Sequence, residues 1–423
     1  MNQTETPSPD ESGGTKTFAD ETFFQAFAEE RSWEPGWMAE LRREAWERYC
    51  SLPPPIRKDE RWRFSPRSRL SLGGFALANG TEGDDTTTIV TEGDNLAGKG
   101  VIFGPFNQVL LNHPSALEGL SDLSGPDLGA ASVHLLTEAF SGNGIVLRVP
   151  KGVIVEKPIV VRHLAPPDGQ VRFHRTLMIL EEGASATLME TFLSRKDEDA
   201  SVVCSVANVV AAPNAQAKRI LLQDLNLQSS FYQLDANRAE RDSCIRCCSL
   251  HLGSAQSRFE NLAAIAGEGA EIEMLGLAIG SGEQLFDQRT RQLHLAPNGR
   301  SDLLYKNALL EESKAVFSGL IKVEKSAQQT DAYQTNRNLL LSPSAEADSL
   351  PGLEILANEV KCSHGATTGK IDEEQLFYLR SRGIPKATAE ELLVFGFLEE
   401  VLKRIENEKV AETLREHIKG KFT

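Results

Sequence analysis

A mainly β chain, built as a central right-handed parallel β-helix with α-helical subdomains at both ends, is what these 423 residues predict. From about residue 100 to 360, β-forming runs alternate with small turn residues, and little 3.6-residue periodicity is sustained. Four segments there share one template, small or turn residues followed by a strand-like run: LEEGASATLMETF (180–192), AAPNAQAKRILLQDL (211–225), IAGEGAEIEMLGLAI (265–279) and LAPNGRSDLLYKNALL (295–310). A fifth, DANRAERDSCIRCCSL (235–250), fits less closely, so the period is imperfect. Units of this size cannot each bury their own apolar face and are expected to stack into a quasi-one-dimensional core. A jelly roll or sandwich is the competing all-β architecture, and it explains the coil-by-coil similarity less well.

In chain order, residues 1–16 are polar and rich in Ser, Thr, Pro and Gly. They offer too little apolar area to offset ordering entropy and are expected to be a disordered leader. An N-terminal helical subdomain is expected over 17–75, because Phe23, Phe24, Phe27 and then Trp37, Met38, Leu41, Ala45, Trp46 recur at helical spacing, with Pro35 as the break. Pro53, Pro54 and Pro55 end it, and residues 71–100 read as loops with short strand pieces. The β-helix core is assigned to 76–365 and a C-terminal helical subdomain to 366–423. In the latter, Asp372 with Gln375 resembles a capping box, and Gly383 followed by Pro385 closes that helix. Thr388 with Glu391 looks like a second box, opening a longer helix that carries Leu392, Leu393, Phe395, Phe397, Leu398, Val401, Leu402 and Ile405 on more than one face. Such a helix packs under its own domain or meets a partner. A last amphipathic helix is expected over 410–419.

The formal charge of −15 repels phosphate backbones and anionic lipid, which makes nucleic acid and membrane surfaces poor partners. No run of eighteen apolar residues and no secretory leader is seen, so the cytoplasm is the expected location. Six irregularly spaced cysteines in so long a chain point to reduced thiols.

Three motifs invite chemistry. GDNLAGKG (93–100) nearly spells the phosphate-binding G-x-x-x-x-G-K-S/T, but Gly100 replaces the hydroxyl that would ligate magnesium. The VIFGPFNQVLL that follows is rich in β-formers, leaves no helix N-terminus for a phosphate, and makes this a turn with no nucleotide site. Cys244, Cys247 and Cys248 form a single C-x-x-C-C cluster without a second pair. On a strand, alternation sends Cys244 and Cys248 to one face and Cys247 to the other, favouring buried strand cysteines over a metal site. Finally, in Lys361-Cys362-Ser363-His364-Gly365 an extended backbone places the Cys362 thiol and the His364 imidazole side by side. Both are good ligands for iron, copper or zinc and could complete a site with groups from another chain. Taken alone, a Cys/His pair on a strand is more often structural.

Residues 338–384, NLLLSPSAEADSLPGLEILANEVKCSHGATTGKIDEEQLFYLRSRGI, resemble the C-terminal signature of the SufB/SufD family, and Gly365 is the SufD-like variant where SufB-like chains carry an acidic residue. LLTEAFSGNGIVLRVPKGVIVEKP (135–158) and DERWRFSP (59–66) are further family-like stretches. The resemblance implies a non-catalytic scaffold subunit of the SUF iron-sulfur cluster assembly complex, not an enzyme. Its implied partners are a SufB-like paralogue and a SufC-like ATPase, in a hetero-oligomer, with a homodimer when isolated. It also implies a transient iron-sulfur cluster or iron at the paralogue interface, contacted by His364 and by Cys362, with none bound tightly by this chain alone. The terminal helices, through Leu392, Leu393, Phe395, Phe397 and Leu398, are the implied ATPase contact, and ATP hydrolysis is expected to shift them and rearrange the interface at His364. Two rivals stand beside it: a metal-free adaptor of the same complex, and a polysaccharide-active β-helix enzyme, for which no distinctive carboxylate motif is seen.

Overall fold

A computed structural model describes residues 19–53, 59–65, 72–78, 87–90, 95–117 and 128–421. The expected leader, 1–16, lies outside the described residues, as do Pro54 and Pro55, most of 79–94 and the start of the phosphate-loop-like stretch.

Two helices open the described chain, α1 (Glu21–Glu30), capped by the Asp20 side chain, and α2 (Gly36–Ser51), begun after Pro35. Strands β1 (Ala76–Leu77), β2 (Thr87–Val90) and β3 (Ile102–Pro105) lead to α3 (Phe106–Asn112) and α4 (Ala131–Phe140). Sixteen strands then follow without interruption by a helix. They are β4 (Asn143–Val149), β5 (Ile159–Leu164), β6 (Gln170–Leu180), β7 (Ser185–Leu193), β8 (Val202–Ala211), β9 (Gln216–Asp224), β10 (Ser230–Ala239) and β11 (Cys244–His251), then β12 (Gln256–Ile265), β13 (Glu271–Gly280), β14 (Leu285–His294), β15 (Arg300–Leu309), β16 (Lys314–Val323), β17 (Thr330–Leu340), β18 (Glu346–Ile355) and β19 (Val360–Lys370). Helices α5 (Glu373–Ser381), α6 (Lys386–Leu402) and α7 (Glu408–Lys419) end it.

Even-numbered strands from β4 to β18 stack in one sheet and odd-numbered strands from β5 to β19 in the other, every neighbour parallel. This is a β-solenoid of about eight turns, the architecture read from the repeats. Most of its turns share one physical device: they link a strand of the first sheet to one of the second through a residue in the left-handed region, Gly183, Asn214, Asp242, Gly269 and Asn298 among them. Glycine, asparagine and aspartate enter that region most readily. A small residue follows and is sealed inside, as Ala184, Ala215 and Ala270 are. Strand, turn and loop lengths all vary from coil to coil, so Ser230 pairs with Gln256 and Lys314 with Glu346 at different sequence separations.

The interior packs Leu147, Met178, Phe259, Met274, Leu303 and Phe317 along the axis. Outside the first sheet, α1, α2 and α4 bury Phe24, Trp46, Phe140 and Phe173 together. The Asp59–Ser65 segment also docks there: the Trp62 indole donates to the Gly129 carbonyl at 2.8 Å, and the buried Arg258 guanidinium lies 3.8 Å over its ring. Outside the second sheet, α6 and α7 bury a third cluster.

Four readings change. Residues 102–112 are half strand and half helix, because Pro105 ends β3 and starts α3, where Phe106, Val109 and Leu110 are buried. A helix N-terminus therefore does follow the glycine-rich stretch, but only after β3 and a 3-10 turn at Ala97–Lys99 that Gly100 terminates. Residues 131–140, inside the span read as strands, form α4 because its apolar residues fill the space between α2 and the first sheet. Strand β19 runs to Lys370, past the expected boundary at 365. Helix α6 begins at Lys386 after Pro385, so Thr388 lies inside the helix and caps nothing.

Candidate functional site at the open end of the solenoid

The last coil, β18 with β19, ends both sheets, so among the described residues each strand has one unpaired backbone edge. Edge strands ten and eleven residues long are unusual unless another chain covers them. Pro351 sits in β18, a position compatible with an edge. Leu353, Ile355 and Leu356 are exposed beside it.

In β19 the positions that continue the inward-facing ladder are 360, 362, 364, 366 and 368. Cys362 stands over the buried Ala332, and His364 over the buried Gln334. The two candidate ligands therefore share one side of the strand, as alternation requires. They differ in environment. Cys362 is half-buried against Ala332, Ile321 and Ala327, and burial, then the nearby Asp331 carboxylate, pushes its thiol pKa up. His364 is exposed. A thiol held protonated is a weaker ligand than a thiolate, so His364 is the better placed donor.

The coil around them is held by interior amides that sequence reasoning missed. The Gln288 amide donates to Asn307 Oδ1 (2.7 Å), Asn307 Nδ2 to Asn338 Oδ1 (2.8 Å), and Asn338 Nδ2 to Thr368 Oγ1 of β19 (3.3 Å). Ser349 of β18 donates to Asn336 Oδ1 at 2.7 Å. These stacked side chains tie the final coil to its predecessors. Their signal was the inward parity of asparagines in otherwise apolar strands.

Among the described residues no three His, Cys, Asp or Glu side chains converge to hold a metal. Cys244, Cys247 and Cys248 are divided by the strand as alternation predicts. Cys247 lies in the solenoid interior and Cys248 under α6 and α7, while Cys244 is part-exposed. Burial pushes the Cys247 thiol up to about 12 and that of Cys248 upward as well.

The candidate ATPase contact divides too. Leu398 is sealed against the second sheet with Val394, Val401 and Leu402, so it packs the helix down and presents nothing. Phe395 and Phe397 are part-buried on the same cluster. The Lys306 ammonium donates to the Phe397 carbonyl (2.7 Å), lies 4.6 Å over its ring and pairs with Glu400 at 2.5 Å. Leu393 is half-buried and Leu392 is 48% exposed. The most exposed aromatics nearby, Phe377 and Tyr378 of α5, had not been singled out. Of the two fates open to a doubly apolar helix, α6 takes packing for most of its length and exposure only near its start.

The family model described as "SUF system FeS cluster assembly, SufBD core domain" matches residues 163–397, more than half of the chain. The iron-sulfur cluster assembly protein SufD of Escherichia coli (strain K12) is 33% identical, over 84% of this chain and 86% of its own length. The SufD of Bacillus subtilis (strain 168) is 27% identical over 95% and 97%. Protein ABCI7, chloroplastic, of Arabidopsis thaliana is 30% identical over 90% and 85%.

Proposed function

The chain belongs to the SufBD core family of the SUF iron-sulfur cluster assembly system, on its SufD side, and from that premise we propose that it is a non-catalytic scaffold subunit that pairs with a SufB-like paralogue and binds a SufC-like ATPase. The observation that carries this reading is the exposed imidazole of His364 on an uncovered edge strand. A SufB-like strand adding to β18 or β19 would satisfy the free backbone groups and bury Leu353 and Ile355. It would also bring its own donors to His364. Among the described residues no group of three such side chains forms around Cys362 and His364, so iron or a nascent cluster, as cargo, would be completed by the partner. Isolated, the same edges would pair with a second copy of this chain.

In this reading the ATPase-binding unit begins after Lys370, with Phe377, Tyr378 and Leu392 as its exposed apolar surface. Movement of that unit by the ATPase would be transmitted through α6, which rests directly on the second sheet. No described helix is long and apolar enough to cross a membrane, and the cytoplasm is the proposed location.

Co-expression with the paralogue and the ATPase, purification, and anaerobic iron and sulfide analysis test the proposal. A stable complex carrying iron and sulfide that depends on His364 is expected. Failure to associate overturns it, and association with iron content indifferent to His364 would favour the metal-free adaptor.

A further inference from the structure

Between the outer face of the second sheet and the link from α6 to α7 lies a cavity of about 240 Å³, remote in sequence and place from the solenoid's open end. Its floor is apolar, made by Ile220, Cys248 and Leu275. One wall is cationic: Lys218 of β9 and Arg246 of β11 are register partners on adjacent strands, so their side chains rise side by side.

That wall already holds a carboxylate. Glu406, on the link between α6 and α7, reaches across to accept from Lys218 Nζ at 2.7 Å and forms a close ion pair with Arg246. Arg246 also pairs with Glu273 of β13 at 3.4 Å, and the third cation of the lining, Arg404, is held by the same Glu273 at 3.4 Å and by Asp302 at 2.7 Å. The lining's other carboxylate, Glu156, is exposed.

We propose that this cavity is a binding site for a small organic anion with an apolar body, its carboxylate or comparable group taking the place of Glu406 between Lys218 and Arg246 and its body lying on the Ile220–Leu275 floor. Two features support exchange of one carboxylate for another. The receiving cations stand on strands rigidly paired within the solenoid, whereas Glu406 stands on a link and keeps about half of its side chain exposed. A half-exposed ion pair contributes little stability, so an incoming anion that also covers apolar surface gains more than it displaces. The volume falls just below the roughly 300–1,000 Å³ of drug-sized ligand sites, which selects a compact ligand. Because Ile405 and Glu406 form its roof, occupancy would bear on how the terminal helices seat on the sheet.

The probe is 1-naphthoate, with uncharged 1-naphthamide as its control, titrated into the full chain by calorimetry and by thermal shift. Saturable one-to-one binding of naphthoate, accompanied by a rise in Tm through ligand linkage, is expected. Naphthamide should bind at least tenfold more weakly. Arg246→Ala and Lys218→Ala should each weaken naphthoate about tenfold, the scale of one lost charge-assisted hydrogen bond. Glu406→Gln should strengthen it several-fold by removing the competing carboxylate. That variant alters only a half-exposed side chain, so it keeps the test decisive if the cation variants fold poorly. Absence of saturable binding, equal affinity for the two probes, or unchanged affinity in Glu406→Gln overturns the proposal. None of these outcomes bears on the cluster-assembly reading, which rests on the other end of the solenoid.

Discussion

His364 and Gln334 are register partners across the last strand pair, the amide buried within the solenoid and the imidazole exposed at its end. One inward-facing ladder thus passes from sealed core to open surface in a single step. Replacing an exposed side chain changes stability by no more than about 0.5 kcal/mol. His364→Ala should therefore leave Tm and partner association unchanged while abolishing delivery of clusters to acceptor enzymes, measured by reconstitution with the paralogue and ATPase. Normal acceptor maturation in that variant would refute a ligand role. Cys362→Ser should cost less delivery than His364→Ala, since its thiol is held protonated.

Leu398 and Leu392 of α6 are six residues apart and should behave oppositely. Leu398→Ala removes a fully buried side chain and should destabilise by about 2–5 kcal/mol in urea unfolding. Leu392→Ala should move stability by less than about 0.5 kcal/mol yet weaken ATPase binding several-fold in a pull-down or calorimetric titration. Equal ATPase affinity for Leu392→Ala and the unmodified chain would remove Leu392 from the proposed contact.

Stability should begin to fall on acidification well before the carboxylates titrate. His251 is fully buried, stacks on Phe259 with centroids 3.8 Å apart, and has no hydrogen-bond partner for either ring nitrogen among the described residues. Burial holds its pKa down at about 3, and burial likewise holds His294 at about 4. The unfolded chain takes up these protons near pH 6.5 and the folded chain does not. Stability is therefore intact above about 6.5 and falls as the pH drops toward these depressed values, by about 1.4 kcal/mol per pH unit for each histidine. His251→Phe, which keeps the stack, should reduce the slope by one proton in pH-dependent urea titrations between pH 6 and 4.5, a window set by the shifts of both histidines. An unchanged slope would show that His251 is not the group responsible.

Glu190 acts lower on the same axis. Burial raises its pKa, but Arg219, His163 and Thr176 outweigh that and hold it at about 2. Its contribution is complete above the ordinary value near 4.5 and is lost as pH falls from there toward 2. Arg219→Met would leave the buried carboxylates of Glu190 and Asp235 without their shared cation and should cost about 3–5 kcal/mol at pH 7. The readout is the urea midpoint, and a shift below about 1 kcal/mol contradicts it.

Changing Cys244, Cys247 and Cys248 together to serine should leave the iron content of the purified complex unchanged, because the strand sends their side chains to opposite faces. The cost should appear in stability instead, as buried hydroxyls replace buried thiols. A large loss of iron would restore the cluster to the list of ligands.

Much of the solenoid was legible because its cause is local. Gly183, Asn214, Gly269 and Asn298 each mark a left-handed turn that a short window reveals, and Asp372 caps α5 through its own neighbours. Helix α4 was missed inside a β-rich span although Val133, Leu136 and Phe140 have helical spacing. Its segment is short, and its helical state is set by packing against α2 and the first sheet. Of the site, the shared side of Cys362 and His364 followed from strand parity, while the Asn307–Asn338 stack that steadies them did not.

By itself, then, the sequence determined the repeating coil, the helical ends and the pairing of a thiol with an imidazole, all of which depend on dihedral preferences and periodicities within a few residues. Tertiary structure alone decided that His364 lies open while Cys362 is half-covered, that Leu398 packs down while Leu392 remains exposed, and that Lys218, Arg246 and Glu406 enclose a cavity. Exposure and convergence are sums over atoms distant in the chain, and no local window contains them.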